Sequence, residues 1–299
     1  MKKFAAYLLT GMLVLACAGC GTTPAGNDGS SDTSDTQSEG SSSTEESSAS
    51  TEESSEESTE ESSEESTPEG TGAAKSEGVM TYAEYVAAEL ESEVVIEAYV
   101  QAKQSWWEDK ATVYTQDEDG AYFIYNMVCS EEDYAKLTPG TKIKVTGYKT
   151  EWSGEVEIAE GATFEIVEGN YVAEAMDVTS LLGTDELIDH QNKFVSFKGM
   201  TVEAKKDADG NEVKDADGNP VAFLYNWDGS GQEGDDLYFD VSLDGQTYTF
   251  TVESYLCDKS TDVYAAVQAL NVGDTIDMEG FLYWYNGVNP HITSVTVAQ

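Results

Sequence analysis

Two segments of this 299-residue chain follow one pattern: LTPGTKIKVTGY at positions 137–148 and LNVGDTIDMEGF at positions 270–281. In both, a glycine follows the leucine by three positions, and apolar side chains then alternate with other residues up to a second glycine. Alternation with a period of two is typical of a β-strand with one buried face. Trp152 and Trp284 follow the segments at nearly the same distance. The sequence therefore predicts an internal duplication.

Strand patterns surround both segments in the same order. In the first repeat the sequence predicts strands at 94–100, 111–115, 121–128, 141–148 and 155–158, an extension at 163–167, and a helix at 130–137. In the second repeat it predicts strands at 194–202, 237–242 and 247–252, and a helix at 260–270. A further helix is predicted within 79–93, before the first repeat. Strand–strand–strand–helix–strand–strand is the order of the OB-fold, a five-stranded Greek-key barrel.

The Leu-x-x-Gly-x-x-Ile-x-Val/Met-x-Gly segment resembles the part of OB-fold domains that joins the helix to the fourth strand. Residues 79–299 are similar to the tandem OB-like domains of uncharacterised surface lipoproteins of Gram-positive bacteria. The resemblance implies a mainly β fold with two tandem five-stranded barrels, each with a short helix. We expect OB-like domain 1 at 79–168 and OB-like domain 2 at 169–299, with an inserted hairpin around 203–235.

The N-terminus has the pattern of an export signal. In residues 1–20, Met1 is followed by two lysines and then by an apolar run that is too short to span a bilayer. Cys17 and Cys20 lie at its end in a context that resembles a bacterial lipobox, and both stay candidates for lipidation. Residues 21–78 repeat serine, threonine and glutamate, so we expect a disordered acidic linker. These features predict a lipid anchor in the bilayer, on the extracellular face of the bacterial cytoplasmic membrane.

The charge of the chain restricts its partners. The formal net charge is −43, of which −31 falls within residues 76–299, and the chain contains no arginine. Nucleic-acid binding draws most of its affinity from lysine and arginine side chains that neutralise phosphates. The sequence therefore predicts neutral or cationic partners and disfavours nucleic acid.

Aromatic residues occupy the strands and loops with which OB-folds commonly bind ligands. Their rings can stack on sugar faces or on protein side chains. The candidate ligand-binding residues are Trp106, Trp107, Tyr114, Tyr122, Tyr125, Trp152, Tyr225, Trp227, Tyr283 and Trp284. Each ring could instead fill a barrel end or an interface between the barrels.

The combined features predict a membrane-anchored, extracellular, non-catalytic binding module whose ligand is a glycan or an envelope or host protein. One alternative is a structural accessory lipoprotein that docks a membrane or cell-wall complex through its aromatic residues. A second alternative is an OB-fold nucleic-acid binder, which the charge disfavours. The oligomeric state stays open.

The insert of the second repeat contains two Asp-Ala-Asp-Gly-Asn motifs. Their oxygen-bearing residues are Asp207, Asp209 and Asn211 in the first, and Asp215, Asp217 and Asn219 in the second. Oxygen ligands at alternate positions suit Ca²⁺, but neither motif has the glycine and the acid that an EF-hand requires at its sixth and twelfth positions. Asp-Gly and Gly-Asn form turns by themselves, so we expect two hairpin turns, with a weak Ca²⁺ site as the alternative.

Few residues suggest catalysis. The chain has two histidines, His190 and His291, and no histidine–cysteine cluster with zinc spacing. We therefore predict no enzymatic activity and no cofactor besides the weak Ca²⁺ alternative. Cys129 and Cys257 precede the two predicted helices at matched positions. They are predicted to be buried thiols, with a disulfide between the repeats as the alternative.

Overall fold

A computed structural model of the chain describes residues 75–298. The predicted signal peptide, the lipidation candidates Cys17 and Cys20, and the predicted linker up to residue 74 lie outside the described residues and stay predictions. The α-helices are α1 (Tyr82–Ala87), α2 (Glu131–Lys136) and α3 (Asp262–Gln268), and two 3₁₀ helices span Thr179–Leu181 and Asp185–His190.

Strands make up most of the described residues. The first six are β1 (Glu93–Lys103), β2 (Lys110–Gln116), β3 (Ala121–Val128), β4 (Thr141–Trp152), β5 (Glu155–Ile158) and β6 (Thr163–Asn170). The remaining seven are β7 (Met176–Asp177), β8 (Phe194–Glu203), β9 (Phe223–Tyr225), β10 (Leu237–Leu243), β11 (Gln246–Val252), β12 (Thr275–Phe281) and β13 (His291–Val297).

The first repeat closes into a barrel, called barrel 1. Strand β1 pairs antiparallel with both β2 and β4, β2 pairs antiparallel with β3, and β5 pairs antiparallel with β4. The circle closes because β3 runs parallel to β5, with α2 in the connection between β3 and β4. Strand β6 pairs with β4 and extends the sheet.

The second repeat forms barrel 2 by the same plan. Strand β8 pairs antiparallel with β10 and β12, and β10 pairs antiparallel with β11. Strand β13 pairs antiparallel with β12 and parallel with β11, and α3 lies between β11 and β12. The short strands β7 and β9 are added at the edges. The predicted fold is confirmed: the described chain is mainly β, with two tandem OB-fold-like barrels.

The barrel interiors account for the alternating sequence pattern. In β1, the side chains of Val94, Ile96, Ala98 and Val100 are all fully buried, because successive side chains of a strand point to opposite faces. Both barrels lie in the same compact unit of the chain. None of the helices within residues 75–298 is both long and apolar enough to span a lipid bilayer.

A candidate ligand-binding pocket at the seam between the barrels

The two barrels meet along a buried surface, called the seam. Its centre is a cluster of four buried rings from Tyr114, Phe123, Phe281 and Tyr283. Tyr114 and Phe123 lie on the outer face of β2 and β3, which is the usual ligand-binding face of an OB-fold. The hydroxyl of Tyr114 is 2.7 Å from Nδ1 of His291 in barrel 2. Barrel 2 therefore covers the face of barrel 1 that the sequence suggests for ligands.

The β4–β5 loop of barrel 1 and the β12–β13 loop of barrel 2 contact each other directly. The rings of Trp152 and Tyr285 lie 5.1 Å apart, and the amide of Asn286 donates to the carbonyl of Ser153 at 2.7 Å. These loops correspond to each other in the two repeats. They close the seam rather than flanking an open groove.

A glutamate at the start of β5 is buried in the seam. Oε2 of Glu155 accepts hydrogen bonds from the backbone amide of Trp284 at 2.9 Å and from Nε2 of Gln191 at 3.2 Å. Burial raises the pKa of Glu155 to about 9, although the bond from Trp284 opposes this shift. The carboxyl is therefore mainly protonated and uncharged at neutral pH.

Three more titratable groups near the seam are shifted toward their uncharged forms. Burial raises the pKa of Glu157, on the same strand as Glu155, to about 7. Burial and the nearby charge of Asp236 raise the pKa of Glu253 to about 7. Burial lowers the pKa of His291 to about 3, so this ring is neutral. The seam is thus a region of low dielectric in which Glu155 and His291 are mainly uncharged and Glu157 and Glu253 are only partly ionised at neutral pH.

A pocket of about 400 Å³ opens beside the seam. Barrel 1 and its helix α1 contribute one wall, lined by Tyr82, Tyr85, Val86, Ala121, Lys149 and Val156. The segment that leads into barrel 2 contributes the other wall, lined by Ile188, Asp189, Gln191 and Asn192. We call this cavity the seam pocket.

Gln191 and Asn192 join the pocket wall to both barrels. The Asn192 side chain donates to the carbonyl of Val156 in barrel 1 at 3.0 Å, and its backbone amide donates to the carbonyl of Leu282 in barrel 2 at 2.9 Å. The Gln191 side chain accepts from the amide of Val156 at 3.3 Å and donates to the carbonyl of Gly154 at 2.9 Å. This wall is therefore hydrogen-bonded to both barrels.

Unpartnered buried polar atoms gather around the same pocket. Within residues 75–298, six buried side-chain oxygen or nitrogen atoms form no hydrogen bond to another group of the protein. Two of them belong to Glu97, which has the ammonium of Lys142 at 2.7 Å. The other four are Oη of Tyr85, Oε1 of Glu155, Nδ1 of His190 and Oδ1 of Asn192. Tyr85 and Asn192 line the pocket. His190 precedes the lining residue Gln191 in the chain, and Glu155 accepts a hydrogen bond from Gln191. Buried polar groups in folded proteins nearly always have a hydrogen-bond partner, so these four atoms distinguish the region of the seam pocket from the rest of residues 75–298.

Lys149 lines the pocket, but its ammonium already donates hydrogen bonds to three backbone carbonyls. Its ammonium donates to the carbonyls of Tyr85, Val86 and Ala88 at 2.8–3.0 Å, at the C-terminal end of α1. Carbonyls at a helix C-terminus have no partner within the helix, and a cation is favourable there. Burial lowers the pKa of Lys149. The lysine therefore holds α1 against β4 and is not free to bind an anion.

Three of the predicted ligand-binding residues are buried. Tyr114 and Tyr283 lie in the seam, and the ring of Tyr283 stacks on His291 at 4.2 Å. Tyr122 points into barrel 1, where its ring contacts Tyr82 and Tyr85. Its side chain points opposite to those of Phe123 and Tyr125 because neighbouring strand residues alternate between faces. These three rings are not accessible to an outside ligand.

Three other candidates are half-buried. Nε1 of Trp106 donates to the carbonyl of Cys129 at 2.9 Å, and Oη of Tyr225 accepts from Gln268 at 2.8 Å. Trp284 packs against the core of barrel 2. Each of these side chains supports its own barrel or the seam.

The remaining four candidates are exposed: Trp107, Tyr125, Trp152 and Trp227. Trp107 and Trp227 are 67% and 76% exposed, and they belong to loops of different barrels. The structure therefore distributes the ten predicted residues among cores, seam and separate loops.

The Asp-Gly motifs of the insert form local turns. Oδ1 of Asp207 accepts from the amides of Asp209 and Asn211, and Oδ1 of Asp215 accepts from the amides of Asp217 and Asn219. Within residues 75–298, no group of three or more histidine, cysteine, aspartate or glutamate side chains is arranged to hold a metal ion. Cys129 and Cys257 are free and buried, each in the core of its own barrel.

The pocket residues were not among the sequence-based candidates. Val86 and Ile188 are apolar and exposed, and they face the pocket from separate parts of the chain. The sequence gives only a partial signal: a polar pair, Gln191 and Asn192, lies one residue before a strongly apolar strand. Nothing in that pair indicates α1 as the opposite wall, because the contact is long-range.

Comparisons with known proteins identify no family: no protein-family model and no curated protein matches the chain. Three solved structures illustrate the matches that were found. The tetrameric p202 HIN2 is 12% identical, with a TM-score of 0.29, and the match covers 71% of this chain and 96% of that one. A murine DNA-binding protein bound with double-stranded DNA is 11% identical, with a TM-score of 0.31 and coverages of 69% and 96%. The Ifi202 HINa domain in complex with double-stranded DNA is 12% identical, with a TM-score of 0.30 and coverages of 69% and 98%.

These comparisons correct the functional prediction. The prediction ranks a glycan or a protein as the ligand and disfavours nucleic acid, whereas two of these three similar structures hold double-stranded DNA. Both parts of that prediction are withdrawn. None of the three is described as an enzyme. At identities of 11–12% and TM-scores near 0.3, the likeness does not assign DNA to this chain either.

Proposed function

We propose that this protein binds a small molecule in the seam pocket without transforming it. The observation that carries the proposal is the coincidence of a cavity of about 400 Å³ with unpartnered buried polar atoms and shifted carboxyls. Ligand sites are commonly concave, mostly apolar, about 300–1,000 Å³ in volume, and located between domains. The seam pocket has each of these properties.

The burial and the hydrogen bonds of Glu155 favour ligand binding over catalysis as the function of the pocket. Its side chain is fully buried, and the amide of Trp284 and the side chain of Gln191 hold the same oxygen of its carboxyl. A general acid or base must lie within hydrogen-bond reach of the reacting group. The pKa of Glu155 is raised and the residue lies beside the pocket, but its hydrogen bonds stabilise the contact between the barrels.

Variants that fill the pocket test the proposal. Ile188→Trp and Val86→Trp enlarge exposed side chains on the two opposite walls. The matched control is Val272→Trp, which changes a 38%-exposed valine in the turn before β12, outside the lining. Saturation-transfer NMR of the full chain with a pool of benzamide, phenol, benzoate and benzylamine reports binding of ring compounds of each charge type.

We expect signals with the unchanged protein and with Val272→Trp, and loss of those signals with both pocket variants. Equal signals from all four proteins would overturn the proposal, as would the absence of any signal. A DNA duplex that bound all four proteins equally, with no fragment signal, would place the function elsewhere on the molecule.

A further inference from the structure

The charge of the pocket wall determines which ligands can enter it at low free-energy cost. Lys149 is the only lysine among the lining residues, and its ammonium donates to three carbonyls at the C-terminal end of α1. An anionic ligand would therefore find no available cation in the wall. It would also approach Glu157 and Glu155, where any ionised form adds repulsion.

A cationic ligand meets a different obstacle. The ammonium of Lys149 lies 5.2 Å from the ring centroid of Tyr85, so the ring that would favour a cation already faces one. Glu155 is mainly uncharged, Glu157 has a pKa of about 7 and carries only part of its charge at neutral pH, and Asp189 is exposed to solvent, which screens its charge. Desolvating a ligand cation beside a lysine would thus cost free energy without a fully charged buried counterion.

The rest of the pocket wall is largely apolar and favours an apolar ligand. Val86 and Ile188 are 56% and 43% exposed, and Val156, Ala121 and Tyr82 contribute further apolar area to the lining. A ring compound would remove this surface from water, which contributes about 25 cal/mol per Å². Tyr85 and Asn192 are lining residues that each retain one unpartnered polar atom. Both atoms lie just below the pocket surface, so a hydroxyl or amide on the ligand would bond them once these side chains rotate toward the pocket.

We infer that the ligand of the seam pocket is an uncharged ring compound that carries a hydrogen-bonding group. This inference rests on the proposed function, because it specifies the ligand of the same pocket. A preference for uncharged ligands distinguishes this pocket from sites that bind phosphates, carboxylates or amines through a free charged side chain. Its distinguishing feature is a lysine in the wall that serves the fold instead of the ligand.

Three probes of nearly equal size test the inference. At neutral pH, benzamide is uncharged, benzoate is an anion and benzylamine is a cation, whereas all three carry one phenyl ring. Each is titrated separately into the full chain, into Ile188→Trp and into Val272→Trp, with dissociation constants measured by NMR chemical-shift perturbation. We expect benzamide to bind at least about tenfold more tightly than either charged probe. Ile188→Trp should abolish that binding, whereas Val272→Trp should retain it.

The possible failures are distinguishable. If benzoate or benzylamine binds the pocket as tightly as benzamide, and Ile188→Trp abolishes that binding, the inferred ligand class is wrong but the pocket still binds small molecules. If no probe binds in a way that depends on Ile188, both the class and the proposed function are overturned.

Discussion

At the scale of single residues, Glu155 shows how the seam depends on an uncharged acid. Its pKa is about 9 in the folded protein against an ordinary value of 4.5, so the folded state binds this proton more tightly than the unfolded state. Its contribution to the free energy of unfolding is therefore full below pH 4.5 and is lost progressively as the pH rises toward 9. The maximal slope from one such group is about 1.4 kcal/mol per pH unit.

Glu155→Gln should flatten this pH dependence. The glutamine keeps an oxygen that can accept from the amide of Trp284, and it cannot ionise. We expect the stability of the variant relative to the unchanged protein to rise steadily between pH 5 and pH 9, measured by urea unfolding at several pH values. Glu168→Gln makes the same chemical change at an exposed position of β6 and is the control. Parallel pH profiles for Glu155→Gln and the unchanged protein would contradict this assignment.

At the scale of elements, α1 illustrates a helix that tertiary contacts maintain. The helix has six residues, which is too short for independent stability, and its N-terminus has a capping box formed by Thr81 and Glu84. Its C-terminus relies on Lys149 of β4. The sequence predicts a helix within 79–93, but the helix ends at Ala87 because β1 begins at Glu93 and pairs with β4.

Lys149→Met should release the end of this helix. Methionine preserves the apolar stem but removes three charge-assisted hydrogen bonds, and we expect a loss of about 2 kcal/mol or more in local stability. Hydrogen–deuterium exchange at the amides of α1 measures the change. Lys144→Met, also on β4, should leave that exchange as it is. Unchanged exchange in Lys149→Met would show that packing of Tyr85 alone holds the helix.

The strands also show what sequence can predict. The period of two in β1 identifies its buried residues, and the repeated segments at 137–148 and 270–281 identify the order of strands. The same periodicity places Tyr114 outside barrel 1 but carries no information about what covers it. The alternation of side chains along β3 is enough to predict that Tyr122 and Tyr125 lie on opposite faces, since residues three apart on one strand face opposite sides. The seam pocket forms where α1, β5 and residues 188–192 come together, and no local sequence pattern predicts these long-range contacts.

At the scale of the whole molecule, we expect the seam to couple the two barrels into one folding unit. Phe281 is buried at its centre, with its ring 4.5 Å from that of Tyr114 in barrel 1 and 5.3 Å from that of Phe194 in barrel 2. Removing a buried phenylalanine ring costs about 3–5 kcal/mol. For Phe281 that loss falls on the contact between the barrels, whereas for Phe250, buried in the core of barrel 2, it falls within one barrel.

Phe281→Ala should therefore separate the unfolding of the two barrels. We expect one cooperative transition for the unchanged protein in differential scanning calorimetry, with equal calorimetric and van't Hoff enthalpies. Phe281→Ala should give two transitions, because each barrel then unfolds without the free energy of the seam. Phe250→Ala should lower the melting temperature but keep a single transition, since the seam is intact. If both variants gave the same single transition, the seam would not couple the barrels, and a ligand in the seam pocket would stabilise only the wall that it contacts.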